Sequence, residues 1–124
     1  MKLHVDQPNA LNTVTAYGQD HIEVNRVKHF GSIMMMPQGD VAAWGVASFD
    51  QLTASDFDEL GTKNPELVIF GTGAKQRFPH PKLTANLTNR HIGVEAMDTQ
   101  AACRTYNILM AEGRHVLVAL LPLA

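Results

Sequence analysis

Glu66-Leu67-Val68-Ile69-Phe70 is a nearly unbroken apolar run that ends in Gly71-Thr72-Gly73. A strand with one wet face alternates, whereas a continuous run fits a strand covered on both faces, the habit of parallel sheets under helices. Parallel neighbours need crossover connections, so the run commits the chain to an α/β arrangement around it. The residues that follow supply the crossovers. Pro81 is placed to open a helix at its first position, with Leu83 and Leu87 on one face. After Gly93, Val94-Glu95-Ala96-Met97 reads as a short strand, then a helix runs from Asp98 to Glu112 and is closed by Gly113. Residues 116–121 form a last apolar strand. Strand, helix, strand, helix, strand is a doubled βαβ unit, with parallel pairing and right-handed crossovers.

The first half reads as β. Residues 14–17 and 21–24 flank Gly18-Gln19-Asp20 as a hairpin, and Asn25-Arg26 makes a second turn before 27–30. Residues 32–36, with Met34-Met35-Met36, form a further run stopped by Pro37-Gln38-Gly39-Asp40, and 41–47 around Trp44 reads as the next strand. Strands this short and close favour a small antiparallel sheet or a half-barrel. Between the halves, Thr53 caps a helix with Asp56 three residues on, as in a capping box, and Leu52 and Phe57 take the staple positions. Gly61 fits the left-handed position after that helix.

At 124 residues the chain is expected to form one domain over 1–124, removing about two-thirds of its unfolded surface from water. A net charge of −2 lacks the basic excess of a dedicated nucleic-acid binder. The halves differ in sign. Residues 1–62 carry three Lys/Arg against eight acids, a net −5, and residues 63–124 carry seven against four, a net +3. An anionic ligand would therefore prefer the second half. Cys103 stands alone, which excludes an intramolecular disulfide and a zinc ribbon and fits a reducing compartment. Met1-Lys2-Leu3-His4 leads into no signal-type apolar region, and the run at 116–121 is too short to span a bilayer. A cytoplasmic location without membrane insertion is the expectation.

Gly71-Thr72-Gly73 is followed by Ala74-Lys75-Gln76-Arg77. Glycines after a parallel strand let backbone N–H groups approach a ligand, and Lys75 with Arg77 favours an anion. The pattern is neither a Walker loop nor GxGxxG, and a tight turn with a solvated basic loop accounts for it as well. At the second junction, Asp98 or Thr99 can accept from the first free N–H groups of the helix, and Ala101-Ala102-Cys103 lets that helix lie close to a sheet. Gln100, Arg104 and Asn107 share one stripe, on which Arg104 leans toward the helix start, within reach of Asp98 or the glycine loop. A structural clamp by Arg104 explains that placement equally well. Ala102, Tyr106 and Leu109, with Cys103 and Met110 beside them, form the core stripe. Cys103 has a neighbouring cation and a helix start to lower its thiol pKa, yet its place on the packed face makes it a small buried hydrophobe. The six histidines show no i, i+4 pair and no HExxH, and no Gly-x-Ser-x-Gly elbow exists. No catalytic residue, metal or cofactor is assigned. The candidate ligand-binding set is Gly71, Thr72, Gly73, Lys75, Arg77, Asp98, Thr99 and Arg104.

Taken together, Gly71-Thr72-Gly73, Met97-Asp98-Thr99, Ala101-Ala102-x-Arg104-Thr105-Tyr106-Asn107 and Glu112-Gly113-Arg114 resemble the signature of a small α/β family of unknown function. This is the Mth-like domain family, which includes mitochondrial complex I assembly factor 3 and the adipogenesis-associated Mth-domain protein. The likeness runs from Tyr17-Gly18 to the closing strand. It implies a three-layer single domain in which a mixed, partly barrelled sheet carries helices, and it transfers no catalytic residues. The tri-methionine segment departs from it, since branched aliphatic residues are expected there. Two readings follow. The first is a non-enzymatic binding or assembly module that works through a surface patch on a protein partner or a second copy, and the missing catalytic set favours it. The second is an anion binder or enzyme with a cleft between the glycine loop and the Asp98-Thr99 helix start. There Arg104 and backbone N–H groups would hold the anion, and Asp98 would serve as acid or base.

Overall fold

A computed structural model describes residues 10–124; Met1-Lys2-Leu3-His4 lies outside them. Strands β1 (Val14–Tyr17), β2 (His21–Val24) and β3 (Val27–Phe30) form an antiparallel three-stranded sheet. Asn25 and Arg26 join β2 to β3 with φ of 49° and 72°, the pair of positive values that a two-residue hairpin turn requires. A second sheet takes the order β5-β4-β8-β6-β7, from β4 (Ile33–Met35), β5 (Ala42–Ala43), β6 (Leu67–Gly71), β7 (Gly93–Met97) and β8 (Val116–Leu120). β6 pairs in parallel with β7 and β8, Leu67 standing opposite Gly93 and Val116, and β4 runs antiparallel to β8. The helices are α1 (Ala54–Gly61), α2 (Pro81–Asn89) and α3 (Thr99–Ala111). Both sheets stay open, and neither closes into a barrel.

The central strands explain the apolar runs. Val68, Ile69 and Phe70 are all fully buried, and so are the five residues of β8. Ile69, Val116, Val118 and Leu120 pack with Tyr106, Ala102 and Cys103 of α3 and with Ile22 and Val24 of the small sheet. Val68, Phe70, Leu117 and Ala119 pack on the other face with Phe57 and Leu60 of α1 and Leu87 of α2. The result is three layers: α1 and α2, the five-stranded sheet, then α3 beside the small sheet. The order of strands produces this. From β6 the chain steps one strand outward to β7, then back across β6 to β8, so connections of one hand must place α2 and α3 on opposite faces.

The capping box forms as expected, with Thr53 N donating to Asp56 Oδ2 at 2.8 Å and Asp56 N to Thr53 Oγ1 at 3.4 Å. Pro81 opens α2, and Gly113 takes φ of 83° after α3. Met34, Met35 and Met36 are all core residues. Two expectations fail. The strand over 41–47 shrinks to Ala42–Ala43, because Gly45 turns the chain at φ of 82°. Trp44 keeps a backbone bond to β4, its N–H donating to the Ser32 carbonyl at 3.1 Å. Its ring enters the core on the Ala42 face, donating from Nε1 to the Asp56 carbonyl and lying edge-on to Phe57 and Phe70. Gly61 is not the left-handed residue after α1; it is the last residue within it. A Cβ there would come within 2.6 Å of Arg90 Nη1 and 2.8 Å of Leu87 Cδ2, so glycine serves the close approach of α2. The left-handed position falls at Asn64, with φ of 51°.

Candidate functional site

The glycine loop and the start of α3 are direct neighbours. Thr72 N donates to the Met97 carbonyl at 2.8 Å, and Thr99 N donates to the Gly73 carbonyl at 2.9 Å, so the β6–β7 ladder continues past both strand ends. Each glycine has its own reason. A Cβ on Gly71 would lie 2.7 Å from Leu120 Cδ2 and 3.1 Å from the Thr99 Cα, while Gly73 holds φ of 102°. Thr99 sits fully buried between the segments, its hydroxyl accepting from Gly73 N at 2.9 Å and donating to the Leu121 carbonyl at 2.6 Å. Leu121 N in turn donates to the Gly71 carbonyl at 3.0 Å. Three segments distant along the chain thus close around one hydroxyl. The choice of helix cap is settled as well: Asp98 accepts from Ala101 N at 2.9 Å, leaving Thr99 for the tertiary contact.

The rest of the loop folds back on itself. Thr72 Oγ1 donates to the Lys75 carbonyl and accepts from Arg77 N. Arg77 pairs with Asp50 at 2.9 Å, and its guanidinium lies 4.0 Å above the centre of the Phe49 ring, which stacks on Phe70. A hollow of about 280 Å³ opens beside the loop, lined by Thr72, Gly73, Lys75 and Arg77 together with residues 47–50 and 121–124. Asp98, Thr99 and Arg104 do not line it. The Thr99 hydroxyl fills the space between loop and helix start. Arg104 lies on the exposed face of α3 and makes no hydrogen bond or ion pair among the described residues, so it meets neither Asp98 nor the glycine loop.

Several residues take positional roles that the sequence alone does not assign to them. Asn107 grips β1, its Oδ1 accepting from Val14 N at 3.0 Å and its Nδ2 donating to the Val14 carbonyl at 2.9 Å. Tyr106 donates from its hydroxyl to the Asn12 carbonyl at 2.7 Å. Helical spacing places Asn107 beside Arg104, but only the fold brings β1 to it. Phe49 and Asp50 reach Arg77 from a distant segment in the same way. Burial pushes the Cys103 thiol up to about 12, an effect that Asp98 reinforces and Arg104 partly offsets, so the thiol is a poor nucleophile. Away from this region, Arg114 and the His115 N–H both donate to Glu66 and hold its carboxyl below the usual range. No cluster of three or more metal-ligating side chains occurs among the described residues.

The geometry can be set beside known proteins. The family model described as "Protein of unknown function (DUF498/DUF598)" matches residues 14–121. The chain belongs to this family. Among solved structures, this DUF498/DUF598 domain is similar to a crystal structure of a protein from Bordetella parapertussis. That protein is 52% identical, with a TM-score of 0.86 over 91% of this chain and 97% of the other. It is also similar to a solution structure from Bordetella pertussis described as a Mth938-like domain, 43% identical, with a TM-score of 0.84 over 100% and 94% of the two chains. The DUF498/DUF598 chain therefore has the Mth938-like fold. A curated relative is NADH dehydrogenase [ubiquinone] 1 alpha subcomplex assembly factor 3 of Mus musculus, 39% identical over 100 residues and 79% of this chain. The match spans 52% of that protein's length. No helix among the described residues is long and apolar enough to cross a membrane.

Proposed function

We propose that this DUF498/DUF598 domain is a non-enzymatic assembly module that acts by protein contact in building a respiratory NADH dehydrogenase. The observation that carries the reading is the 39% identity to an assembly factor of that enzyme across most of the chain. The geometry supports it. At the glycine loop, the hydroxyls of Thr72 and Thr99 and the carboxylates of Asp98 and Asp50 are all engaged with protein groups, which leaves no nucleophile and base facing one another. What the surface offers instead is apolar: Phe78, Phe30, Ile108 and Val27 are all more than half exposed. The partner is proposed to be a protein subunit, and the compartment the cytoplasm, where the unpaired buried Cys103 stays reduced. Deleting the chain from cells that make it and resolving membranes on native gels tests this. Subassemblies should accumulate as the mature NADH dehydrogenase declines; a mature complex at its normal abundance overturns the reading.

One observation favours a second reading, an anion binder: Lys75 and Arg77 line the hollow beside Gly73. A small anion held there would raise the melting temperature, and the rise would grow with the logarithm of its concentration above the dissociation constant. Thermal unfolding with inorganic phosphate and pyrophosphate, in the wild type and in Lys75→Ala, decides it. An unchanged melting temperature in the wild type removes this reading.

A further inference from the structure

β7 is the outermost strand of the five-stranded sheet. Its pairing fixes which of its backbone groups face inward. The Met97 carbonyl and Thr99 N both bond toward the β6 side, so the odd-numbered residues of this stretch turn their amides inward. Alternation turns the N–H and C=O of Val94 and Ala96 outward. The side chain of Gln76 takes up the Ala96 carbonyl at 3.3 Å. Val94 N–H, Val94 C=O and Ala96 N–H have no strand beyond them among the described residues. A bare edge of this kind is a template for another strand. The opposite edge, β5, is two residues long and offers no comparable template.

Beside β7 runs a groove of about 430 Å³, walled by Pro81, Thr84 and Thr88 of α2 and by Phe78 and Pro79, with Val94, Glu95, Ala96 and Met97 along the strand. Phe78 is 77% exposed, an aromatic ring set at the mouth of an unfilled apolar groove. Val94 and Ala96 face the α2 side, and Glu95 points to the other face, exposed and without an ion pair among the described residues.

We propose that β7 accepts an extended strand from a partner subunit, in which apolar side chains that enter the groove alternate with basic side chains that meet Glu95. Hydrogen bonding selects an extended segment, the groove selects its apolar face, and the unpartnered carboxylate selects the charge of the other. A second copy of the chain fits poorly. The two-fold pairing with most bonds sets Val94 opposite Ala96, which places Glu95 directly against its own symmetry mate, a destabilising pair of like charges. The identity of the partner as a subunit rests on the assembly reading, whereas the strand addition does not.

The probe is a short labelled peptide of alternating valine and lysine, followed by fluorescence anisotropy and by amide exchange of the protein. Binding should slow exchange at Val94 and Ala96, and a valine–glutamate peptide or one with the same residues in blocks should bind about tenfold more weakly. Glu95→Lys should reverse the preference between the lysine and glutamate peptides. Ala96→Pro removes only an outward N–H, so the β6 ladder survives while binding is lost. Phe78→Ala changes an exposed side chain, keeps the fold and should also weaken binding, which covers the case in which the proline variant misfolds. Absence of binding, or binding that leaves exchange at Val94 and Ala96 unchanged, overturns the proposal. So does binding that persists in both Ala96→Pro and Phe78→Ala. A solution dimer abolished by Ala96→Pro would assign the edge to a second copy and overturn it too. If the Phe78→Ala chain fully restores assembly in the deletion cells, strand docking fails and the assembly reading stands; if deletion leaves assembly normal while the peptide binds, the reverse holds.

Discussion

The end of β6 and the outer side of β7 belong to one sheet, yet they use their backbone groups in opposite ways. At the end of β6, the N–H groups of Thr72, Gly73 and Leu121 and the carbonyls of Gly71 and Gly73 all have protein partners, arranged around the buried hydroxyl of Thr99. Along the outside of β7, three of the four outward backbone groups of Val94 and Ala96 have no partner among the described residues, beside an unfilled groove. Glycines after a parallel strand are a familiar ligand-site signature, but here they serve close packing of α3 and a turn. The inventory of hydrogen-bond partners, rather than the motif, separates the paired backbone of the loop from the unpaired backbone of the β7 edge.

The largest effect should come from opening the lock. Thr99→Val keeps the shape of the side chain and removes the hydroxyl, stranding the buried Gly73 N–H and Leu121 C=O. Each unsatisfied group costs about 1–3 kcal/mol, so urea unfolding should show a loss of about 3 kcal/mol. A loss below about 1 kcal/mol would mean that water replaces the hydroxyl freely and that the junction is not closed. Next in size is Asn107→Ala, which releases both bonds to Val14 and should cost about 1–2 kcal/mol. Amide exchange separates it from the first variant: Val14 should exchange faster while Leu121 stays protected. Equal loosening at both places would show that the two clamps act as one.

The buried side of the sheet should also reveal itself in alkali. Cys103 ionises near its ordinary value in the unfolded chain, but in the native core its thiol is pushed up to about 12. Between those values the unfolded state binds fewer protons than the native one, so stability falls as pH rises. Below the unfolded value the term is constant. Tyr106, whose phenol burial also raises, acts in the same direction. Urea midpoints should therefore be flat with respect to Cys103 up to mild alkali and then decline, and Cys103→Ala should make that decline shallower. An unaltered slope in Cys103→Ala would place the thiol in contact with solvent.

The doubled βαβ unit is legible in the sequence because every boundary in it has a local cause: the apolar run of β6, proline at the start of α2, Asp98 before α3 and Gly113 after it. The glycine loop and the start of α3 are legible as neighbours for a topological reason, since adjacent parallel strands end on the same rim. What escapes is decided by distant residues. Gly61 and Gly45 are the same residue type used for two needs, close helix contact and a positive φ, and the neighbour that distinguishes them is remote in sequence. One residue of helical phase separates a Thr99 that faces outward as a cap from the Thr99 observed, buried beneath the loop. Arg104 lies away from Asp98 and the glycine loop for a related reason: sharing a stripe does not fix where the far end of a long side chain rests.

The smallest effect distinguishes the two functional readings of the glycine loop. Arg77 makes an exposed ion pair with Asp50 and covers the Phe49 ring. An exposed pair contributes about 0.2–1 kcal/mol and an exposed cation–π contact a similar amount. Arg77→Ala should therefore cost about 1 kcal/mol in low salt, and part of that loss should vanish as salt screens the pair. If the loop works as an anion site, the same variant also loses any rise in melting temperature with phosphate, and Asp50→Asn, which frees the guanidinium, enhances that rise. If the loop is only a lock, phosphate moves neither variant relative to the wild type. Binding of the valine–lysine peptide at β7 then remains intact in both, because neither Arg77 nor Asp50 lines that groove. A variant at Arg77 that weakened peptide binding would show that the two regions are coupled, and the contrast between lock and open edge would fail.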